Sequence, residues 1–212
     1  MQAEREISLP FSQNAHSDTN CNALPPPYYG GGLMERVKLG GMKQSLELCQ
    51  FDLRGPESPE RIVPKVSKLL ASQKINISFL IYNHLNNGFH KLTICTHQYD
   101  CARTAGILTI RGILTQGWGM QSREHVGILT VFPHRCPLTI LGLVMVSWAA
   151  QSIPIYGIAT SLSAISFLTD YRTIDKGIEI IQNSFQLPDD HAPIKPELIY
   201  LQSDEVKQGK GN

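Results

Sequence analysis

The chain has 212 residues, of which 42% are hydrophobic, 19 are basic and 18 are acidic. This hydrophobic content is enough to build a core, so disorder throughout the chain is excluded, and the length suits one ordinary domain or two small ones. The charges are nearly balanced and form no dense basic run, which argues against a nucleic-acid partner.

The two ends of the chain differ in composition from its middle. Residues 1–42 are rich in polar residues and contain the run Pro25-Pro-Pro-Tyr-Tyr-Gly-Gly-Gly32, so they bury too little apolar surface to offset the entropy of ordering. We expect a flexible N-terminal arm there, whose triple proline is either a spacer or a polyproline ligand for a partner. The polar residues 189–212 predict a mobile C-terminal tail.

Residues 43–120 predict a first small unit. Ser58 is a candidate N-cap with Pro59 at the first helical position, and Pro64 either delays the start of this helix or distorts it. The predicted elements, in chain order, are a strand over 46–51, the helix after Ser58, a hairpin of strands 75–81 and 89–96, a weakly patterned helix over 97–105, and a closing strand over 107–114.

Residues 121–188 predict a second unit with elements in the same order. Its last helix is marked by Thr173 as a cap and by apolar residues that recur at helical spacing from Ile174 to Phe185. The predicted elements are a strand over 126–132, a helix over 138–151, a hairpin that turns near 161–164 and returns over 165–169, and the helix after Thr173.

The repeated order defines the expected fold. In both units the first helix ends at a polar pair that is followed by Ile-x-Ile, at Ile75–Ile77 and at Ile153–Ile155. We predict an α+β protein made of two ferredoxin-like βαββαβ units, each with an antiparallel sheet covered by helices on one face. The strand after the first helix lies at the sheet edge in this layout, where Pro154 is tolerated.

A long uncharged segment raises the possibility of a membrane protein. No charged residue occurs from Cys136 to Thr169, which exceeds the roughly 20 residues of a spanning helix. Pro154 and Gly157 break this segment, however, and only Leu138–Ile153 is helix-like, which is short for a span and ordinary for a buried helix. We therefore expect no membrane partner.

The cysteines point to a reducing compartment. Their number, five, is odd, no CxxC pair occurs, and the N-terminal residues lack an apolar signal core. We expect reduced thiols and a cytoplasmic protein.

Three segments carry a family resemblance. They are Asp52-Leu-Arg-Gly-Pro56, Ile75-Asn-Ile77 and Tyr156-Gly-Ile-Ala-Thr-Ser-Leu-Ser-Ala-Ile-Ser-Phe-Leu-Thr169. In this order and in duplicate, over residues 43–188, they resemble a tandem pair of ACT domains like the regulatory region of aspartokinases. The residues before 43 are too few for a kinase domain, so we expect no kinase activity in this chain.

The resemblance implies that an amino acid or a similar small effector binds where two such domains meet. The turn that opens the first helix offers unpaired backbone N–H groups and suits a carboxylate. Arg54 or Arg135 would clamp that carboxylate and Asp52 would hold an ammonium group. Alternatively, these are ordinary turn residues in solvent. The full set of candidate ligand-binding residues is Asp52, Arg54, Gly55, Pro56, Asn76, Ile77, Arg135, Ser161 and Ser163.

We expect a non-catalytic regulatory module without a cofactor or a metal site. No phosphate-binding GxxxxGK[ST], GxSxG or HExxH motif occurs. The helix over 138–151 is apolar nearly all round and needs a cover on a second side, which predicts a homodimer. A biosynthetic enzyme is a further candidate partner.

The alternative function is a structural interaction module for a partner enzyme that binds no effector. The family turn reads Pro-Gly, whereas Gly55-Pro56 and Cys136-Pro137 stand here. The second turn lacks the glycine altogether, which favours this alternative.

Overall fold

Seven antiparallel strands form one sheet in the computed structural model, which describes residues 37–56, 58–85, 88–110, 117–133 and 137–195. Four helices connect or follow these strands. The strands are β1 (Leu39–Gln44), β2 (Leu48–Gly55), β3 (Ile77–His84), β4 (His90–His97), β5 (Gly119–Pro133), β6 (Ile155–Thr160) and β7 (Ile165–Asp170), and the helices are α1 (Pro59–Ser72), α2 (Cys101–Ile110), α3 (Pro137–Ala150) and α4 (Ile174–Ser184).

The strand order shows how two units share this sheet. It runs β3-β4-β2-β5-β7-β6, with β1 also beside β5. The first part of β5 pairs with β2 and closes a first unit made of β2, α1, β3, β4 and α2. The second part of β5 pairs with β7 and β1, and with α3, β6 and α4 these make a second unit. Both have the ferredoxin-like strand arrangement, which confirms the predicted α+β fold, and β3 and β6 are the expected edge strands.

The second unit takes its last strand from the start of the described chain. Strand β1 precedes the whole first unit in sequence, yet it pairs with β5 from Leu39 opposite Pro133 to Gln44 opposite Leu129. The next strand, β2, continues along the same partner from Leu48 opposite Val126. The first unit is therefore inserted between the final strand of the second unit and the rest of it.

Each unit has its own core between its helices and one face of its sheet. In α1 the buried residues Ile62, Val66 and Leu70 lie on one side of the helix at a spacing of four. In α3 the residues Ile140, Val144 and Trp148 repeat that spacing. The first core adds Phe51, Leu53, Leu92, Ile94 and Leu108, and the second adds Leu129, Val131, Phe167, Ile178 and Ile181.

A third, smaller core joins the two units. Leu48 and Cys95 of the first unit pack with Val126, Ile128 and Leu168 of the second. These strand residues alternate with the ones that face the helices, so they point to the opposite face of the sheet. The two units therefore pack against each other through the sheet faces that carry no helices. We call this contact the seam.

Strand β1 was not predicted, because residues 39–42 were assigned to the N-terminal arm over 1–42. Leu39 and Met42 are buried in the second core, and this burial offsets the cost of ordering a segment that contains two glycines. The described part of the predicted tail also contacts this strand, since the backbone N–H of Gln44 donates to the carbonyl of Ile194 at 2.8 Å.

One predicted element of the first unit was wrong, and one open alternative is decided. The strand expected over 107–114 is helical as far as Ile110, because α2 buries Leu108 in the first core, and the closing strand begins only at Gly119. Helix α1 starts at Pro59 and contains Pro64 within it, so Pro64 does not delay its start.

The expectation of reduced thiols is contradicted at two positions. Cys49 of β2 and Cys101 at the start of α2 are joined in a disulfide, with their Cα atoms 5.6 Å apart. They are 52 residues apart in sequence, so only the packing of α2 on the sheet brings them together. Cys95 is a free, buried thiol. Its pKa is raised to about 12, mainly by burial and to a lesser extent by the negative charge of Asp52. Within the described residues, no helix is long and apolar enough to cross a bilayer.

Candidate functional site

Asp52 lies on β2 and points toward the seam side of the sheet. Its carboxylate accepts hydrogen bonds from Thr93 Oγ1 at 2.6 Å and from Gln50 Nε2 at 3.0 Å, and it pairs with Lys91 Nζ at 2.9 Å. Burial alone would raise the pKa of Asp52, but these three partners together lower it. The carboxylate is thus neutralised within the chain, which leaves less of it for a ligand ammonium group.

The first strand-to-helix turn is covered by a neighbouring segment. A Cβ atom placed on Gly55 would overlap the ring of Trp118, so only glycine lets the indole pack this closely. Beside it, a Cβ atom on Gly117 would lie 3.5 Å from the ring of Pro56. Arg54 is exposed on the same strand, and no described carboxylate pairs with it. Among the described residues of this turn, Arg54 offers a charged side chain to a ligand.

Asn76 and Ile77 do not meet that turn within one chain. Ile77 pairs with Thr96 near the Leu48 end of the first unit, whereas Gly55 pairs with His90 at the other end. Seven residues of β2 separate the two ends, which corresponds to about 23 Å. Asn76 is exposed and Ile77 packs on the first core. Only a second chain would bring these residues to the turn.

The remaining predicted residues belong to the second unit. Ser161 and Ser163 are exposed in the turn between β6 and β7, and Ser161 Oγ accepts the backbone N–H of Ala164 at 3.0 Å, so this hydroxyl stabilises the turn. Arg135 lies outside the described residues.

One end of the seam is held by charged and aromatic side chains. The guanidinium of Arg123 lies 3.8 Å from the ring centre of Tyr156, which connects the first part of β5 to β6. Arg172 donates two hydrogen bonds to Asp170 and thereby lowers the pKa of that carboxyl. Glu47 pairs with His125 nearby. Of these contacts, the one between Arg123 and Tyr156 joins the two units, whereas the pair of Arg172 with Asp170 lies within the second unit.

A cavity of about 260 Å³ lies elsewhere at the seam. Both units contribute to its wall, the first through β3 and the second through β1, β5 and β7. The part of the wall that the described residues form contains one charged side chain and several hydroxyl groups. Its main residues are Lys43, Ser78, Phe79, Ile128, Thr130 and Ser166.

Sequence analysis missed the seam cavity and the residues around Asp52. Lys43 stands at the junction of the predicted arm and the first unit, and Phe79 belongs to an alternating strand whose second face had no assigned partner. The alternation of the edge strand is a signal that could have indicated a buried second face. Among the described residues, no group of three or more His, Cys, Asp or Glu side chains is placed to hold a metal ion.

The tandem arrangement of the two βαββαβ units is similar to the fold of solved aspartate kinase regulatory proteins. The regulatory subunit of aspartate kinase from Thermus thermophilus matches 70% of this chain and 99% of its own, with 18% identity and a TM-score of 0.59. The corresponding subunit from Thermus flavus matches 72% and 100%, with 17% identity and a TM-score of 0.61. Aspartate kinase from Synechocystis matches 74% of this chain over 28% of its own, with 14% identity and a TM-score of 0.61.

At sequence identities of 14–18%, the structural similarity to these proteins shows the fold of this chain. The regulatory subunits are covered almost entirely by this chain. No protein-family model and no curated protein sequence matches the chain.

Proposed function

We propose that the chain is a non-catalytic regulatory module that binds a small amino-acid-like effector where its ACT-type units meet. The observation that carries this proposal is the seam, at which two units that share β5 also pack face to face. An effector that contacts both units has a different affinity for each packing arrangement, and this difference is what regulation requires. The likeness to regulatory subunits supports the same function.

Within this proposal, Arg54 binds the effector carboxylate at the first turn. Its side chain is exposed and has no described acidic partner, and a guanidinium recognises a carboxylate through two parallel hydrogen bonds. Asn76 and Ile77 of a sister chain would complete this site, since they lie too far from the turn in their own chain. Gly55 and Pro56 would shape it, and Arg135, Ser161 and Ser163 would form the equivalent site of the second unit.

The proposed partners are a second copy of this chain and a biosynthetic enzyme. Helix α3 leaves Leu138 and Val146 on the surface, with 80% and 72% of each residue exposed, and a homodimer would cover them. The name regulatory subunit, given to the similar proteins, supports association with a catalytic partner. We place the module in the cytoplasm.

The alternative is a structural interaction module that binds no effector. Two observations favour it, namely the indole of Trp118 against Gly55 and the internal neutralisation of Asp52. Both fill the first turn with groups of the chain itself.

Titration calorimetry of the full chain with each of the twenty amino acids tests the proposal. We expect one chemical class of amino acid to bind, and Arg54→Gln to weaken binding about tenfold if the first turn holds the carboxylate. Arg61→Gln, which removes an exposed arginine from α1, is the matched control. If no amino acid binds or shifts the unfolding temperature while a biosynthetic enzyme co-purifies, the structural alternative holds.

A further inference from the structure

The seam cavity combines three chemical features. Lys43 is the one charged side chain among its described lining residues and lies directly opposite Thr130 in the pairing of β1 with β5. The hydroxyls of Thr130 and Ser166 are hydrogen-bonded to each other at 2.8 Å. Phe79 of the first unit and Ile128 of the second provide apolar surface in the same cavity. A cation, hydroxyls and an apolar wall are therefore within reach of one small molecule.

The charge distribution of this cavity favours an anionic ligand. Among the described residues no acidic side chain lines it, and no described carboxylate pairs with the exposed ammonium group of Lys43. The two hydroxyls carry one proton each, and one of these protons forms their mutual hydrogen bond. The other proton can therefore be donated to an anionic oxygen. A carboxylate accepts from both groups, which fits this combination better than a neutral amide.

The volume and the apolar wall of the cavity favour a small ligand that has an apolar part beside its anionic group. Pockets for drug-sized molecules begin at about 300 Å³, so this cavity of about 260 Å³, which is open to solvent on one side, has room for a molecule of the size of an amino acid. Phe79 and Ile128 would contact a short aliphatic chain. The free lone pairs of the two hydroxyls would accept from an α-ammonium group.

We propose that the seam cavity binds a small aliphatic amino acid or carboxylate, with Lys43 and the Thr130–Ser166 hydroxyl pair as the carboxylate ligands. This inference rests on the proposed function, because it gives the effector a place inside one chain rather than at the first turn. A ligand there contacts Phe79 from the first unit and Thr130 and Ser166 from the second, so it stabilises the packing of the two units in which the cavity forms.

Four probes separate the possible ligand chemistries in calorimetry of the full chain. They are L-valine, isovalerate, which lacks the α-ammonium group, L-valinamide, which lacks the carboxylate, and inorganic phosphate. We expect valine and isovalerate to bind, valinamide to bind at least about tenfold more weakly than valine, and phosphate not to compete with valine. Equal binding of valine and valinamide, or no binding of valine, overturns the inference.

Variants locate the site. Lys43→Gln is expected to weaken valine binding about tenfold, and Thr130→Val and Ser166→Ala severalfold each, whereas Lys68→Gln on the exposed side of α1 changes nothing. Because Lys43 is exposed, its variant should keep the unfolding temperature of the native chain. Amide NMR signals of residues 130 and 166 should move when valine is added.

The results distinguish the two proposals. If an amino acid binds and Lys43→Gln has no effect while Arg54→Gln abolishes binding, the effector lies at the first turn, so the inference fails and the proposed function stands. If none of the twenty amino acids binds the native chain, both fail.

Discussion

Gly55 is the residue at which the first turn is most sensitive to substitution. In Gly55→Ala the new methyl group would overlap the ring of Trp118, which must move, so we expect a loss of about 1–3 kcal/mol in the free energy of unfolding. Urea denaturation measures this loss. Gly119→Ala is the matched strand control, because a Cβ there meets no atom within 4 Å, and its effect should stay within about 0.5 kcal/mol. Equal effects of the two substitutions would show that Trp118 does not pack on Gly55.

Asp52 should make the stability of the protein depend on pH in the acid range. Its pKa is lowered in the folded chain, so its stabilisation is complete above the unfolded-state pKa of about 3.9 and is lost as the pH falls through the lowered folded-state value. Asp52→Asn should cost about 1–3 kcal/mol near neutral pH and flatten the decline in stability below pH 5.

Urea denaturation between pH 2 and pH 7 tests this expectation for Asp52. Asp175→Asn is the control, since Asp175 forms an exposed ion pair with Lys195 that should contribute at most about 1 kcal/mol. If Asp52→Asn and the native chain lose stability in parallel as the pH falls, the bonds to Lys91 and Thr93 do not hold in solution.

At the residue scale the sequence indicated where polar groups occur but not their partners. Asp52 was recognised as a candidate ligand, yet Thr93, which bonds to it, is 41 residues away and meets it only through the pairing of β2 with β4. Trp118 likewise reaches Gly55 through strand pairing. The positions of Arg54 and Asn76 as binding residues remain predictions.

Individual elements were predictable where one periodicity dominated. The buried residues of α4 and the edge positions of β3 and β6 follow from spacing and from the order of the repeat. Strand β1 escaped prediction because Gly40 and Gly41 interrupt its apolar pattern, and its stability comes from Leu39 and Met42 in a distant core. The helical conformation of residues 106–110 was not predicted, because a short apolar run fits a helix as well as a strand.

Helix α3 is the element on which the proposed homodimer depends. The double substitution of Leu138 and Val146 by lysine should weaken dimerisation more than about tenfold, because it places two charges in an apolar contact. The unfolding temperature should hardly change, since both residues are already exposed. Sedimentation velocity at several concentrations measures the assembly.

Leu162→Lys is the control for this substitution, because Leu162 is fully exposed in the turn between β6 and β7. A native chain that sediments as a monomer at all concentrations would rule out the homodimer. Dimers that persist in the double variant would move the contact away from α3.

The whole molecule should unfold in one step, because both units are completed by β5 and joined by the seam core. The two tryptophans report on different units, Trp118 on the first and Trp148 on the second. We expect the fluorescence midpoint in guanidinium to coincide with the circular dichroism midpoint in both Trp118→Phe and Trp148→Phe. Separate midpoints in either variant would mean that the units unfold independently.

The repeat predicted the two units, but not their exchange of a strand or their packing. A division at residues 120 and 121, as the repeat suggests, falls inside β5, whose residues pair with both units. Local patterns describe one unit at a time, and the insertion of the first unit appears only when long-range pairs such as Met42 with Val131 are known.

The insertion also governs how the protein emerges during translation. Strand β1 leaves the ribosome early, but its pairing partner in β5 is synthesised only after the entire inserted unit has been made. Leu39 and Met42 therefore remain exposed to solvent while the inserted unit folds. Nascent chains that are stalled before residue 129 expose an unpaired strand to chaperones and to other nascent chains.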